Sequence, residues 1–232
     1  MGYKIKVWGD YALFSRPEMK VERYSYDVMT PSAARGILDA LYWHPGMKWI
    51  VDRIYVQKPI QFISIRRNGI RDKVSASKAL SVYNGSKKEL SLNTQGKTDR
   101  RTSLILKDVQ YIIEAHFEMT QYANENDSKE KFSAIINRRL ERGQCYHQPY
   151  FGCREFPAHF CPCEDGKITT AYEDEENHDL GFMFYGMSYT SKDIESRDQK
   201  APWRSFEEIC PTFFRANMKH GVLDLRNVEV YQ

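Results

Sequence analysis

The sequence predicts an α+β chain: a ferredoxin-like domain extended at its C-terminus by an antiparallel β-sheet. Three observations predict it. Two amphipathic helical stretches lie between long extended runs. Their order is strand, helix, strand, strand, helix, strand, the order of split β-α-β folds. After residue 150, short aromatic runs alternate with Gly, Pro and Asp, as antiparallel strands alternate with turns. The expected division is 1–150 for the first domain, with a basic insertion at about 66–101, and 151–232 for the β-rich domain.

Residues 3–14 alternate around Tyr3, Ile5 and Val7, break at Gly9-Asp10, and resume at Ala12 and Phe14, which reads as a strand. Thr30-Pro31-Ser32 then marks a helix start, with Thr30 as N-cap and Pro31 in the first helical position. Ala34, Ile37, Leu38 and Leu41 follow at i, i+3, i+4 and i+7, and His44-Pro45-Gly46 stops the helix. Residues 48–56 and 58–64 read as extended, and 103–120 as a long strand or strand pair. A second helix carries Phe132, Ile135, Ile136 and Leu140 on one face and closes at Gly143. Trp8, Trp49 and Trp203 read as packing residues.

The composition excludes several classes. With 28% charged and 13% aromatic residues, the chain does not describe a disordered protein. It contains no apolar run near the roughly 18 residues a membrane helix needs. The alternating N-terminus does not look like a secretory leader, and Lys6 stands where a myristoylation signal wants Ser or Thr. Five cysteines at no regular spacing suggest reduced thiols and a cytoplasmic protein.

The net charge of +3 hides two opposed segments. Residues 66–101 hold ten basic residues against three acids, among them Arg66, Arg67, Arg71 and Lys73, while Glu164–Asp179 holds seven acids and one lysine. A basic, glycine-punctuated insertion suits a phosphate backbone, because each neutralised phosphate releases counterions. A solvated loop would look the same from charge alone.

Among candidate catalytic residues His116 is the most instructive. Ile113, Ala115 and Phe117 share one strand face, so Glu114, His116 and Glu118 share the other. Imidazole titrates near neutral pH and can move a proton there. The plain alternative is a surface histidine between two glutamates. Tyr42, one residue past the first helix's apolar stripe, could orient a hydroxyl or phosphate, or simply pack. Gly152 permits a close backbone approach, and Arg154 beside it could clamp a phosphate. Cys153, Cys161 and Cys163 lack the paired spacing of structural zinc, so no metal or cofactor is expected.

The strings GDYALFSRPE, SYDVMTPSAARGILDALYWHPGMKWIVDRIYVQKPIQF, DVQYIIEAHFEM, FGCREFPAHFCPCE and LGFMFYGMSY together resemble one family over nearly the whole chain. That family is the CRISPR-associated Cas protein family five, subtype d, of type I-C systems. The resemblance implies an RRM-like fold and a metal-independent endoribonuclease that cuts precursor CRISPR RNA at the repeat stem-loop. The ribose 2′-hydroxyl would attack the adjacent phosphate and leave a 2′,3′-cyclic phosphate. The protein would then hold the 5′ handle as a subunit of the type I-C interference complex (Cascade), with other Cas subunits as partners and no membrane.

The family's tyrosine matches Tyr42 and its histidine matches His116. Its lysine has no match, because Glu114 and Ala115 precede His116. Lys48, Lys58, Lys107 or Arg154 could take that role. Arg35, Arg66, Arg67, Arg71, Lys73 and Arg154 are the expected RNA-binding residues. The alternatives are a non-catalytic RNA-binding scaffold subunit of the same complex and an unrelated RRM-like interaction module.

Overall fold

A computed structural model describes residues 2–19, 21–91, 93–163, 166, 168–188 and 210–232. Trp203, Tyr189 at the end of the last matched string, and Glu164, Asp165 and Lys167 of the acidic segment lie outside the described residues.

The elements run in the order β1 (Tyr3–Ala12), β2 (Arg23–Tyr24), α1 (Pro31–Leu41), β3 (Met47–Val56), β4 (Phe62–Ile70), α2 (Ala76–Tyr83) and β5 (Thr98–Met119). There follow α3 (Lys129–Glu141), β6 (His159–Pro162), β7 (His178–Ser188), β8 (Cys210–Lys219), β9 (Val222–Asp224) and β10 (Val230–Tyr231). The result is an α+β chain dominated by one largely antiparallel sheet with the path β10-β8-β9-β3-β5-β1-β6. Strands β2 and β4 also pair with β5, and β7 with β8. The C-terminal strands therefore extend this sheet at both ends: β6 joins β1, and β9 joins β3. One apolar cluster runs from Ile5 through Phe132 to Phe214 and Leu225, across the expected boundary at residue 150.

Both long helices start as their caps dictate. Thr30 Oγ1 accepts the Ala33 N–H at 3.2 Å, and Ser128 Oγ accepts the Lys131 N–H at 3.2 Å. Helix α1 buries Ala34, Ile37, Leu38 and Leu41; α3 buries Phe132, Ile136 and Leu140. Gly143 ends α3 with φ of 61°, a left-handed conformation that favours glycine. Both helices cover the same sheet face, where Tyr3, Trp49, Phe117 and Phe132 form a ladder of edge-on and stacked rings. Among the described residues, the other face of β1, β3 and β5 carries no helix.

The basic stretch differs from the loop-like insertion expected. Strand β4 pairs with the first half of β5 from Phe62↔Leu106 to Ile70↔Thr98, forming a ribbon, and α2 near its tip has no buried residue. Where the ribbon meets the sheet, Ile63 and Ile65 of β4 and Ile105 of β5 pack against the core, and Ile63 pairs with Ile105. Trp49 packs as expected, with 2% exposure, but Trp8 stands on the open face at 36%. Among the described residues no helix is long and apolar enough to cross a membrane.

Candidate active site

The open face is built by alternation. From β1 it receives Lys4, Lys6 and Trp8; from β5, Gln110, Glu114, His116 and Glu118, with Ile112 between them buried at 2% exposure; from β3, Lys48, Ile50, Arg53 and Tyr55. Antiparallel register sets these side by side: Lys48↔Glu118, Ile50↔His116, Arg53↔Glu114, Lys4↔Glu114 and Trp8↔Gln110. The Trp8 ring stacks on His159 of β6, with centroids 5.7 Å apart and planes at 27°.

His116 lies on this face with 36% of its side chain exposed. Its Nδ1 is 2.8 Å from Asp52 Oδ2, and its Nε2 is 3.9 Å from Glu118 Oε1, beyond hydrogen-bond distance. Next along the strand, Glu114 accepts the Tyr55 hydroxyl at 2.5 Å and an Arg53 N–H at 3.3 Å. Partial burial pushes the Glu114 carboxyl up, but these donors prevail and hold it below the usual carboxylate range. Arg53 also reaches Asp224 of β9 at 3.3 Å. Asp224 is held well below its ordinary range, chiefly by its hydrogen bond to Arg226.

Tyr42 lies elsewhere. It ends α1 in an extended conformation, its N–H donating to the Leu38 carbonyl, and it is buried with 8% exposure. Its ring packs on Phe132 of α3 at 6.0 Å, beneath the Arg139 guanidinium at 5.0 Å, and its carbonyl accepts the Trp49 Nε1–H at 2.9 Å. Burial raises the phenol above its ordinary value. These contacts put the ring on the helix-covered side. His116 stands on the other side, so the two matched residues do not meet on one face.

The remaining residues divide into four groups. Arg35 lines a small groove with Ser32, Lys48 and Ile50, and Ile50 pairs with His116 across the strands. Arg66 is exposed on β4, whereas Arg67 is engaged by Glu155 and reaches Ser103 Oγ at 3.4 Å. Arg71 and Lys73 lie beyond the ribbon strands, with Asp72 between them already bound by Lys97 at 2.8 Å. Arg154 is exposed on the 151–156 turn. Gly152 makes the close approach its residue type suggests, but to the Leu13 carbonyl rather than a ligand; its φ is 79° and a Cβ there would strike that oxygen. Among the described residues, no three His, Cys, Asp or Glu side chains gather as a metal site.

Two residues of this face escape the sequence-based set. Asp52 is one, although the apolar positions of β3 slip from 47, 49 and 51 to 54 and 56, which signals a bulge. Trp8 is the other: it reads as packing, yet it shares its strand phase with Lys4 and Lys6.

With this geometry in place, a family model described as CRISPR-associated protein (Cas_Cas5) matches residues 2–226. The chain belongs to that family. It is 43% identical over 227 residues to a protein of Mannheimia succiniciproducens named CRISPR pre-crRNA endoribonuclease Cas5d, covering 96% of this chain and 93% of that one. A Thermus thermophilus protein of the same name is 37% identical over 234 residues, covering 99% and 93%. Among solved structures, one titled as the crystal structure of a CRISPR-associated protein superposes with a TM-score of 0.69 at 22% identity, over 100% of this chain and 97% of the other. SMU1763c from Streptococcus mutans, titled as functionally uncharacterized, gives 0.68 at 18% over the same shares. These two share the fold of this Cas5 chain.

Proposed function

We propose that this Cas5 chain is an endoribonuclease that cuts precursor CRISPR RNA in the repeat stem-loop. It then keeps the 5′ handle as a subunit of the type I-C interference complex, Cascade, with other Cas subunits as partners. Two relatives above 30% identity, each covering more than nine-tenths of this chain, are named for that activity, which supports the reading. The sheet order β3-β5-β1-β6, with α1 and α3 on one face, supports the ferredoxin-like, RRM-like description of the N-terminal part. RNA is a common ligand for the uncovered face of such sheets.

The observation that carries the proposal is His116 on the open face, Nδ1 engaged and Nε2 clear of any hydrogen bond to its neighbouring acid. In the reaction O2′ attacks the adjacent phosphorus, the P–O5′ bond breaks, and a 2′,3′-cyclic phosphate remains. The 2′-hydroxyl loses a proton and O5′ gains one; His116 moves a proton in that step. Lys48 is the cation we assign to the developing phosphorane charge, because its register places it one pair from His116 on the same face. Lys58 is held by Asp108 at 2.5 Å, and Lys107 pairs with Tyr11 at the far end of the strand. Arg35 at the adjoining groove, Arg66 and Arg67 of the ribbon, Arg71 and Lys73 just beyond it, and Arg154 would grip phosphates. Trp8 offers a base a stacking surface.

For Tyr42, the family match implies a role beside the 2′-hydroxyl, while its burial against Phe132 favours packing. Tyr42→Phe separates the two, because it removes the hydroxyl and leaves the ring. A second reading, a subunit that binds the RNA without cutting it, is favoured by Glu114 and Ala115 in place of the family's lysine.

The test is cleavage of repeat RNA in excess chelator. The wild-type chain should cut and yield a cyclic phosphate end, and His116→Ala should lose cleavage by at least about 100-fold. Full cleavage by His116→Ala removes the assignment. Dependence on a divalent ion overturns the metal-independent step, and tight binding without product favours the scaffold reading.

A further inference from the structure

We infer that Asp52 is a positioning residue for His116, a carboxylate brought to the ring by a β-bulge; the inference rests on the reading of His116 as the group that moves a proton. The bulge is written in the strand. Met47, Trp49 and Val51 face the core, and so do Ile54 and Val56. A regular strand would turn either Asp52 or Arg53 into that core, since successive side chains alternate. The register instead steps from Val51↔Ala115 to Arg53↔Glu114, leaving Asp52 as the extra residue. Both polar side chains thereby reach the open face.

Asp52 is held at both ends. Its carbonyl accepts the Leu225 N–H at 2.8 Å, just past β9, where Leu225 is itself 5% exposed. Its carboxylate is 19% exposed, with Oδ2 2.8 Å from His116 Nδ1. A carboxylate only accepts hydrogen bonds, so the proton of this pair sits on Nδ1 and the lone pair of the neutral ring on Nε2. Among the described residues, the charged groups on this face near the ring include Glu118 and Glu114 on its own strand, Lys48 and Arg53 on β3, and Lys4 on β1. Arg53 and Glu114 are spent on each other, and Glu118 lies 3.9 Å from Nε2. Asp52 is the group that fixes which nitrogen faces the substrate, a job that side-chain chemistry at a neighbouring strand does without touching the RNA.

The experiment compares full-length wild type, Asp52→Asn and His116→Ala in single-turnover cleavage of repeat RNA across pH, with RNA affinity measured in parallel. Asp52→Asn should slow cleavage about 100-fold. Affinity should stay within about twofold, since the carboxylate makes no phosphate contact. In Asp52→Asn the neutral His116 ring should lose its preference for protonation on Nδ1, read by histidine nitrogen NMR, because an amide can donate as well as accept. An unchanged rate, or a slower rate with the wild-type tautomer preference kept, overturns the assignment. A second measurement needs no variant: histidine nitrogen NMR of the wild-type chain should show neutral His116 protonated on Nδ1, and protonation on Nε2 refutes the inference. If His116→Ala cuts at the wild-type rate, the reading of the site has failed; if only Asp52→Asn is unimpaired, this inference alone has failed.

Discussion

The two faces of β5 are built from adjacent residues and have opposite properties. Ala115 and Phe117 point toward α1 and α3, where Phe117 meets Tyr3, Trp49 and Phe132. Glu114 and His116 point the other way, into a layer of hydrogen-bonded charges that includes Arg53, Tyr55 and Asp52. One side is held by buried apolar area, which tolerates neither a cavity nor an unpaired polar group. The other keeps polar groups at the surface, where they can meet a ligand. The two family-matched residues fall on opposite sides: His116 in the polar layer, Tyr42 in the packed one.

The sharpest way to break this contrast is to truncate each residue and read stability and cleavage separately. Tyr42→Ala should cost about 3 kcal/mol or more of unfolding free energy, as ring removal from a core does. His116→Ala should cost less than about 1 kcal/mol, as a half-exposed substitution does. Denaturant unfolding checks both values. If Tyr42→Ala is nearly neutral to stability while abolishing cleavage, its face has been misjudged. Next, Tyr42→Phe should unfold within about 1 kcal/mol of wild type, since the packing ring survives; its cleavage rate is the direct measure of the hydroxyl.

A smaller effect sharpens the polar side. Glu114→Gln should lose about 1–2 kcal/mol at neutral pH through its bonds to Tyr55 and Arg53. The folded carboxyl sits below its ordinary range, so this stability is present above that range and is lost as pH falls through the folded value. The gap between Glu114→Gln and wild type should therefore close in acid, as unfolding curves at two pH values will show. The smallest effect belongs to the ribbon. Arg66→Ala and Lys73→Ala together should lower the salt slope of RNA binding by about one for each phosphate left without its cation. Titrations at several salt concentrations check this, and an unchanged slope would take the ribbon out of the RNA path.

Much of this fold is legible in the sequence. Thr30-Pro31 and Gly143 mark helix ends because caps and left-handed glycines act within a few residues. The alternation in 112–119 puts His116 outward because strand geometry has a period of two. The ribbon is less legible, since residues 66–70 and 98–102 pair as strands through polar, basic sequence with no apolar alternation to mark them. Gly152 shows the right backbone freedom, but its neighbour, the Leu13 carbonyl, comes from a distant part of the chain.

By itself, then, the sequence determined the strand and helix order, the capped helix starts, the outward phase of His116 and the family to which the chain belongs. Tertiary structure alone decided the rest: that Asp52 faces the imidazole across a bulge, that register lays β3 with Lys48 alongside the His116 strand, and that Tyr42 lies beneath the helices. The physical reason is reach. Periodicity and capping are local properties of a few consecutive residues, whereas the partner of a side chain is chosen by strand register and by which segment, here the one ending at Leu225, closes over the backbone.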